Sequence, residues 1–219
     1  GERPQKGRYR EFTQCDFDIV GTSSPGADAE VLQVIYATLS ALNVPPFTIY
    51  VNNRRVMNAL LGHLACADRA SAILIAVDKL TKEGSEAVQA MLTGDVGLAP
   101  STADEILRFV DASKGVDTTT ALGRVREQYP DSPQLGSAID ELTEVVAIAC
   151  GAGIPEQQLV VDFGVARGLG YYTGCVYETI INELPSLGSV CSGGRYDNLT
   201  QSFQREELPG VGASVGLDR

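Results

Sequence analysis

Arginines stand beside flexible backbone at four places in this 219-residue chain. Arg8 and Arg10 lead into the run EFTQCDFDIVG, and Arg167 follows the apolar run LVVDFGVA and precedes Gly168. Arg195 lies in GGRYD, and Arg219 closes PGVGASVGLDR. A guanidinium is a fixed fork of donors that matches carboxylates and phosphates. One such arginine at a strand end is usually a solvated charge. Four placements in a chain of net charge −11 point to the handling of an anion. Paired aromatics, Tyr171 and Tyr172, follow Arg167 closely. Glycines at 164, 168, 170, 174, 188, 193, 194, 210, 212 and 216 punctuate the same apolar stretches. Glycine weakens a strand, so this density implies close approach of backbone to a ligand or to another strand; tight turns in an antiparallel meander are the plainer alternative.

Other chemistries find little footing. The sequence holds no GxGxxG in a strand–helix setting and no GxxxxGK[ST]. His63 is the single histidine and sits in the helical stretch VMNALLGHLA, where a packed or surface histidine is the default. The five cysteines (Cys15, Cys66, Cys150, Cys175 and Cys191) form no CxxC and no metal-ligand spacing, which fits reduced, buried thiols and no metal site. What remains is catalysis by positioning and charge stabilisation, as in phosphoryl or adenylyl transfer.

The elements that must position these residues fall into three regions. EFTQCDFDIVG reads as a strand in near alternation, AEVLQVIYATLSALN carries a helical stripe, FTIYV reads as a strand and RRVMNALLGHLA as a helix. From about residue 66 to 150 come amphipathic helices: SAILIAVDKL, SEAVQAMLTG, STADEILRFVDAS, TTTALGRVREQY and SPQLGSAIDELTEVVAIACGAG. Ser101 and Ser132 are their candidate N-caps. The third region returns to strands: LVVDFGVA (159–166), the run after RGLGYYTG, then GSVCSGGRYDNL and PGVGASVGLDR. Residues 64–150 carry fourteen acids against seven bases, whereas the dense basic run is the first ten residues, with Arg3, Lys6, Arg8 and Arg10 against Glu2. No apolar run approaches the roughly 18–20 residues that span a bilayer, and the amino-terminal residues have no hydrophobic stretch, so the expectation is a soluble cytoplasmic protein with no membrane partner.

Four of these segments also carry a resemblance. ERPQKGRYREFTQCDFDIVG resembles motif 2 of the histidyl-tRNA synthetases, a class II aminoacyl-tRNA synthetase family, and its CDFDIVG wording leans towards the eukaryote-like branch. ARGLGYYTGCVYE resembles the histidine-specific signature RGLDYYTG, with Gly170 in place of the aspartate. GSVCSGGRYD, with Gly193, Gly194, Arg195 and Tyr196, resembles the second histidine-specific element, and GVGASVGLDR resembles motif 3. The four occur in family order.

The resemblance implies an α/β (α+β) fold of the class II type: a mixed, mainly antiparallel sheet flanked by helices. Residues 1–63 and 151–219 would form the catalytic core and residues 64–150 a helical insertion. It implies a ligase that activates histidine with ATP and transfers it to tRNA(His). Gln14 would bond the α-amino group of histidine. Asp18, where many relatives have glutamate, would hold the imidazole together with Tyr172, and Tyr171 would line the same pocket. Arg167 would pair with the histidine carboxylate and then with the α-phosphate. Glu2, Arg8 and Arg219 would meet ATP, and Mg²⁺ would arrive mainly through ATP. The resemblance begins inside motif 2 and ends at motif 3, so the expectation is a portion of a longer enzyme, a homodimer when intact. Two paralogues share the fold: the regulatory subunit of ATP phosphoribosyltransferase, and the synthetase-like domain of a translation-stress kinase.

Overall fold

The computed structural model describes residues 9–166, 171–198 and 208–219. Two compact units divide the chain. The first comprises Gly1–Tyr50, Glu144–Val160 and Tyr177–Arg219; the second comprises Val51–Thr143 and Val161–Val176. The second unit thus takes in residues on both sides of the expected 64–150 insertion.

Six strands form one sheet in the order β1-β6-β5-β4-β2-β3. They are β1 (Gln14–Val20), β2 (Phe47–Asn53), β3 (Leu159–Val161), β4 (Cys175–Ile181), β5 (Cys191–Arg195) and β6 (Gly210–Gly216). β6 runs antiparallel to both β1 and β5, with Asp18 and Gly194 each opposite Gly212. The mainly antiparallel sheet with flanking helices is the architecture expected from the motifs.

Helix α1 (Pro25–Ala41) starts at Ser24, whose hydroxyl accepts the Gly26 N–H at 3.2 Å, with Pro25 in the first turn. Its stripe of Val31, Leu32, Ile35 and Leu39 is at most 2% exposed. The helix packs on β6, β5 and β1. Side chains alternate across a strand, so Val211, Ala213 and Val215 share one face of β6, and all three are buried. Arg195, opposite Val211, reaches Asp28 of α1 from that same face. The other face of β1, β6 and β5 is the open one.

The second unit is mostly helical: α2 (Arg54–His63), α3 (Ala70–Val77), α4 (Leu80–Glu83), α5 (Ser85–Ala90), α6 (Pro100–Asp111), α7 (Thr118–Gln128) and most of α8 (Pro133–Gly151). A π-helical turn, Met91–Asp95, follows α5. Phe109 and Phe163 meet at 4.8 Å between ring centroids, and His63, exposed at the end of α2, stands edge-on to Tyr129 at 5.5 Å.

Several local expectations need correcting. Ser101 does not cap α6: the helix begins one residue earlier at Pro100, which supplies the fixed φ of a first turn, and the cap position is Ala99. The α8 start is as read, with the Ser132 carbonyl accepting the Gly136 N–H. β3 is three residues long, because Asp162 leaves the strand and folds its carboxylate back onto the Gly164 N–H at 2.8 Å. No cysteine forms a disulfide, and Cys66, Cys175 and Cys191 are buried as expected, but Cys150 is half-buried and Cys15, on the edge strand β1, is exposed. No described helix is long and apolar enough to cross a membrane.

Candidate active site

The open face is built by alternation. Gln14, Asp16 and Asp18 of β1 lie beside Gly216, Ser214 and Gly212 of β6, and Ser192 and Gly194 of β5 continue the row. Apart from Val20 at its edge, this face presents amides, carboxylates, hydroxyls and bare backbone. Gln14 Nε2 donates to Ser214 Oγ at 2.5 Å, which leaves the Gln14 carbonyl oxygen to the face. Tyr196 Oη donates to Asp18 Oδ1 at 2.5 Å. Burial, then the bond to Asp18 and its charge, hold the Tyr196 hydroxyl above its ordinary pKa.

Glycine is required where these side chains lie down. A Cβ on Gly212 would collide with the Asp18 carboxylate, and one on Gly210 would collide with the Tyr196 ring. Gly193 is held by its neighbour strand instead, since a Cβ there would run into the Gly212 carbonyl and Ala213. Gly193, Gly210 and Gly212 therefore mark close approach between strands and between side chain and backbone, while Gly188, at φ +76°, serves a turn, the plainer alternative.

Arg195 takes another role. It is 2% exposed on the α1 side of the sheet, where Nη2 and Asp28 Oδ2 are 2.5 Å apart and Nε lies 3.0 Å from the same oxygen. Nη1 donates to the Thr22 carbonyl at 2.9 Å, and Tyr177 Oη donates to Asp28 Oδ1 at 3.0 Å. Burial works against the Arg195 charge, but the bonds to Asp28 outweigh it and raise the pKa further. Arg195 thus fastens the first turn of α1 to β5 and does not face the open side. Arg219 folds back along Gly216 and donates through Nη1 to the Ser189 carbonyl.

In the second unit the rings of Tyr171 and Tyr172 lie 4.2 Å apart at 45°. Chain on both flanks of this pair is tied to the turn between β2 and α2. Asn52 Nδ2 donates to the carbonyls of Phe163 and Val165 at 3.2 and 3.0 Å. Arg54 Nη1 donates to Ala166 O at 3.3 Å, and the Arg54 N–H donates to Gly174 O at 2.9 Å. Arg54 is 8% exposed and its Nε has no hydrogen-bond partner, so burial depresses its pKa.

Gln14, Asp18 and Tyr196 are thus brought together within the first unit, with Arg219 past the end of β6. Tyr171 and Tyr172 belong to the second unit. Glu2, Arg8 and Arg167, with Gly170, lie outside the described residues. Sequence reading missed Asp16, Ser192 and Ser214 on the open face. For Asp16 and Ser214 the signal was present, since QCDFD and GVGASVG place small or polar residues at every second position.

Comparison with known proteins comes in on this geometry. A family model described as histidyl-tRNA synthetase matches residues 2–219. A histidine–tRNA ligase of Wolinella succinogenes is 46% identical over all of this chain and 50% of its own length. A crystal structure of histidyl-tRNA synthetase from Nostoc is 34% identical with a TM-score of 0.88, covering 95% of this chain and 49% of that one. A Bacillus halodurans structure, described as an ATP phosphoribosyltransferase regulatory subunit/histidyl-tRNA synthetase, is 22% identical with a TM-score of 0.80, covering 94% and 52%; at that identity it speaks for the fold alone. The chain spans about half the length of the curated relatives it matches.

Proposed function

The chain belongs to the histidyl-tRNA synthetase family, and from that premise we propose that it forms the part of a histidine–tRNA ligase that activates histidine with ATP and passes it to tRNA(His). The observation that carries the reading is the open face of β1, β6 and β5, where Gln14 and Asp18 share one side of β1 with Asp16 between them, opposite Gly216 and Gly212.

In this reading Gln14 accepts a hydrogen bond from the α-ammonium group of histidine, and Asp18 accepts one from the imidazole. Tyr171 and Tyr172 line the amino-acid pocket. Arg167 pairs with the carboxylate and then with the α-phosphate. A carboxylate oxygen of histidine forms a bond to the α-phosphorus of ATP, and the bond to pyrophosphate breaks. The terminal ribose hydroxyl of tRNA next attacks the carbonyl carbon of the adenylate: the ester bond forms, the bond to the AMP phosphate oxygen breaks, and AMP leaves as the hydroxyl proton is lost. The nucleophile in each step is a substrate atom, so the protein contributes alignment and charge neutralisation. Glu2, Arg8 and Arg219 serve the ATP end. Mg²⁺ would enter with the ATP phosphates, and no step is assigned to it. Residues 64–150 form the insertion, and the intact protein works as a cytoplasmic homodimer.

The test is histidine-dependent ATP–pyrophosphate exchange on the full-length protein that carries this sequence, with Arg167→Ala beside it. The expected result is exchange that needs histidine and falls at least ~100-fold in the variant, the scale of losing one charge-stabilising donor. Histidine binding without exchange would instead favour a regulatory paralogue.

A further inference from the structure

Three consecutive polar residues, Asn52, Asn53 and Arg54, are buried where β2 passes into α2. Asn53 caps the helix, its side chain accepting the Arg55 N–H at 2.9 Å. That leaves Arg54 at the first helical position, where a cation opposes the helix dipole, and the first turn of α2 holds no acid to offset it. The guanidinium is 8% exposed, its Nε has no hydrogen-bond partner, and among the described residues no carboxylate pairs with it. A buried charge in that setting is costly, and a neutral amide could donate to one carbonyl at a smaller desolvation cost. The arginine instead grips two places at once. Its Nη1 donates to Ala166 O at 3.3 Å, and its backbone N–H donates to Gly174 O at 2.9 Å. In sequence, Arg167, Tyr171 and Tyr172 lie between those two residues. Asn52 holds the Phe163 and Val165 carbonyls just before them, and the Asp162 N–H donates to Val51 O at 3.0 Å. Both ends of the segment are therefore fixed to one junction of strand and helix.

We infer that Arg54 is a positioning residue for the reaction: by tying Ala166 and Gly174 to the head of α2, it sets where the segment between them presents Arg167 to the reacting carboxylate and α-phosphate. The inference rests on the ligase reading above for what Arg167 meets. Arg54 acts through backbone carbonyls alone. Anchoring both ends leaves the segment less freedom to lose when substrate arrives. An arginine that must meet charge developing at phosphorus gains most from such a fixed base. The same role gives a reason for a buried guanidinium at the wrong end of a helix, since functional residues are where a local rule of stability is broken.

Arg54→Met keeps the stem and removes the donors and the charge. In pyrophosphate exchange with the full-length protein, its kcat should fall about tenfold to hundredfold, the scale of displacing a catalytic group by about 1 Å. KM for ATP should stay within about twofold. Arg54→Lys, which keeps a cationic donor for Ala166 O, should recover most of the loss. Because Arg54 acts through Arg167, adding Arg54→Met to Arg167→Ala should cost nothing further, whereas independent effects would multiply. The urea midpoint of Arg54→Met should not fall, since the variant loses one carbonyl's donor but also removes an unpaired buried charge. A kcat within about twofold of the wild type overturns the inference. So does a multiplicative double variant, or an equal loss in Arg54→Lys. A lower urea midpoint alongside the fall in kcat overturns it too, by making Arg54 a support of the fold alone. If the wild type binds histidine in calorimetry without exchange, the ligase reading falls. The role of Arg54 then stands only if Arg54→Met and Arg167→Ala each weaken that binding, and the two together weaken it no more than one. A wild type that binds no histidine overturns both.

Discussion

Arg195 carries the same guanidinium as Arg167 and Arg219, yet its surroundings give it different work. In GGRYD it reads like a ligand-binding arginine beside flexible backbone, and nothing in those five residues reveals Asp28, 167 positions earlier in the chain, as its partner. Removing one member of a buried pair leaves the other charge uncompensated. Asp28→Asn should therefore cost about 3–5 kcal/mol in urea unfolding, while Ser24→Ala at the head of the same helix should cost about 1 kcal/mol. Cysteine chemistry separates by environment in the same way. Burial, then the neighbouring Cys15, push the Cys191 thiol up to about 12, whereas Cys15 is exposed. Iodoacetamide at pH 8 followed by peptide mass analysis should label Cys15 first and leave Cys191 unmodified until the protein unfolds.

Strand and helix identities were legible wherever periodicity was long, as in α1, α6 and β1, because burial on one face imposes a repeat on the residues. Ends were harder to read. β3 stops at Val161 because Asp162 prefers to bond its own backbone two residues on, a local competition that LVVDFGVA conceals behind apolar neighbours. Burial raises the Asp162 carboxyl pKa above its ordinary 3.8, partly offset by the Gly164 N–H. A raised folded-state value means that the stability linked to this group is fully present in acid and is lost as pH rises through the folded pKa. Asp162→Asn should accordingly unfold at higher urea than the wild type at pH 7, with the advantage disappearing towards pH 4 in a pH series of urea melts. Asn52 shows a second tie that sequence does not disclose. Its amide holds two carbonyls more than a hundred residues away, so Asn52→Ala should cost about 1–3 kcal/mol by leaving them unsatisfied.

At the scale of the whole molecule, charge and motif point to different parts. Residues 64–150 carry seven bases among fourteen acids, and Arg69, Arg108, Lys114 and Arg126 pair with Asp68, Glu105, Asp111 and Asp140. That leaves little cation for broad contact with a phosphate backbone, so neutralising Lys79, Lys82 and Arg124 together should leave tRNA affinity within about twofold in filter binding. Four motifs in family order were enough to name the family, because four separate segments in register are specific where any one alone is weak. The resemblance, and not periodicity, grouped Gln14 with Asp18; the register of β1 on β6 puts both on one face of the sheet. Partners across the sheet were not readable. The bond from Tyr196 to Asp18, the buried seat of Arg195 and the reason for glycine at 210 and 212 depend on which strands become neighbours and in what register. A local pattern cannot encode that register, because it arises only when α1 covers one face of three strands drawn from opposite ends of the chain.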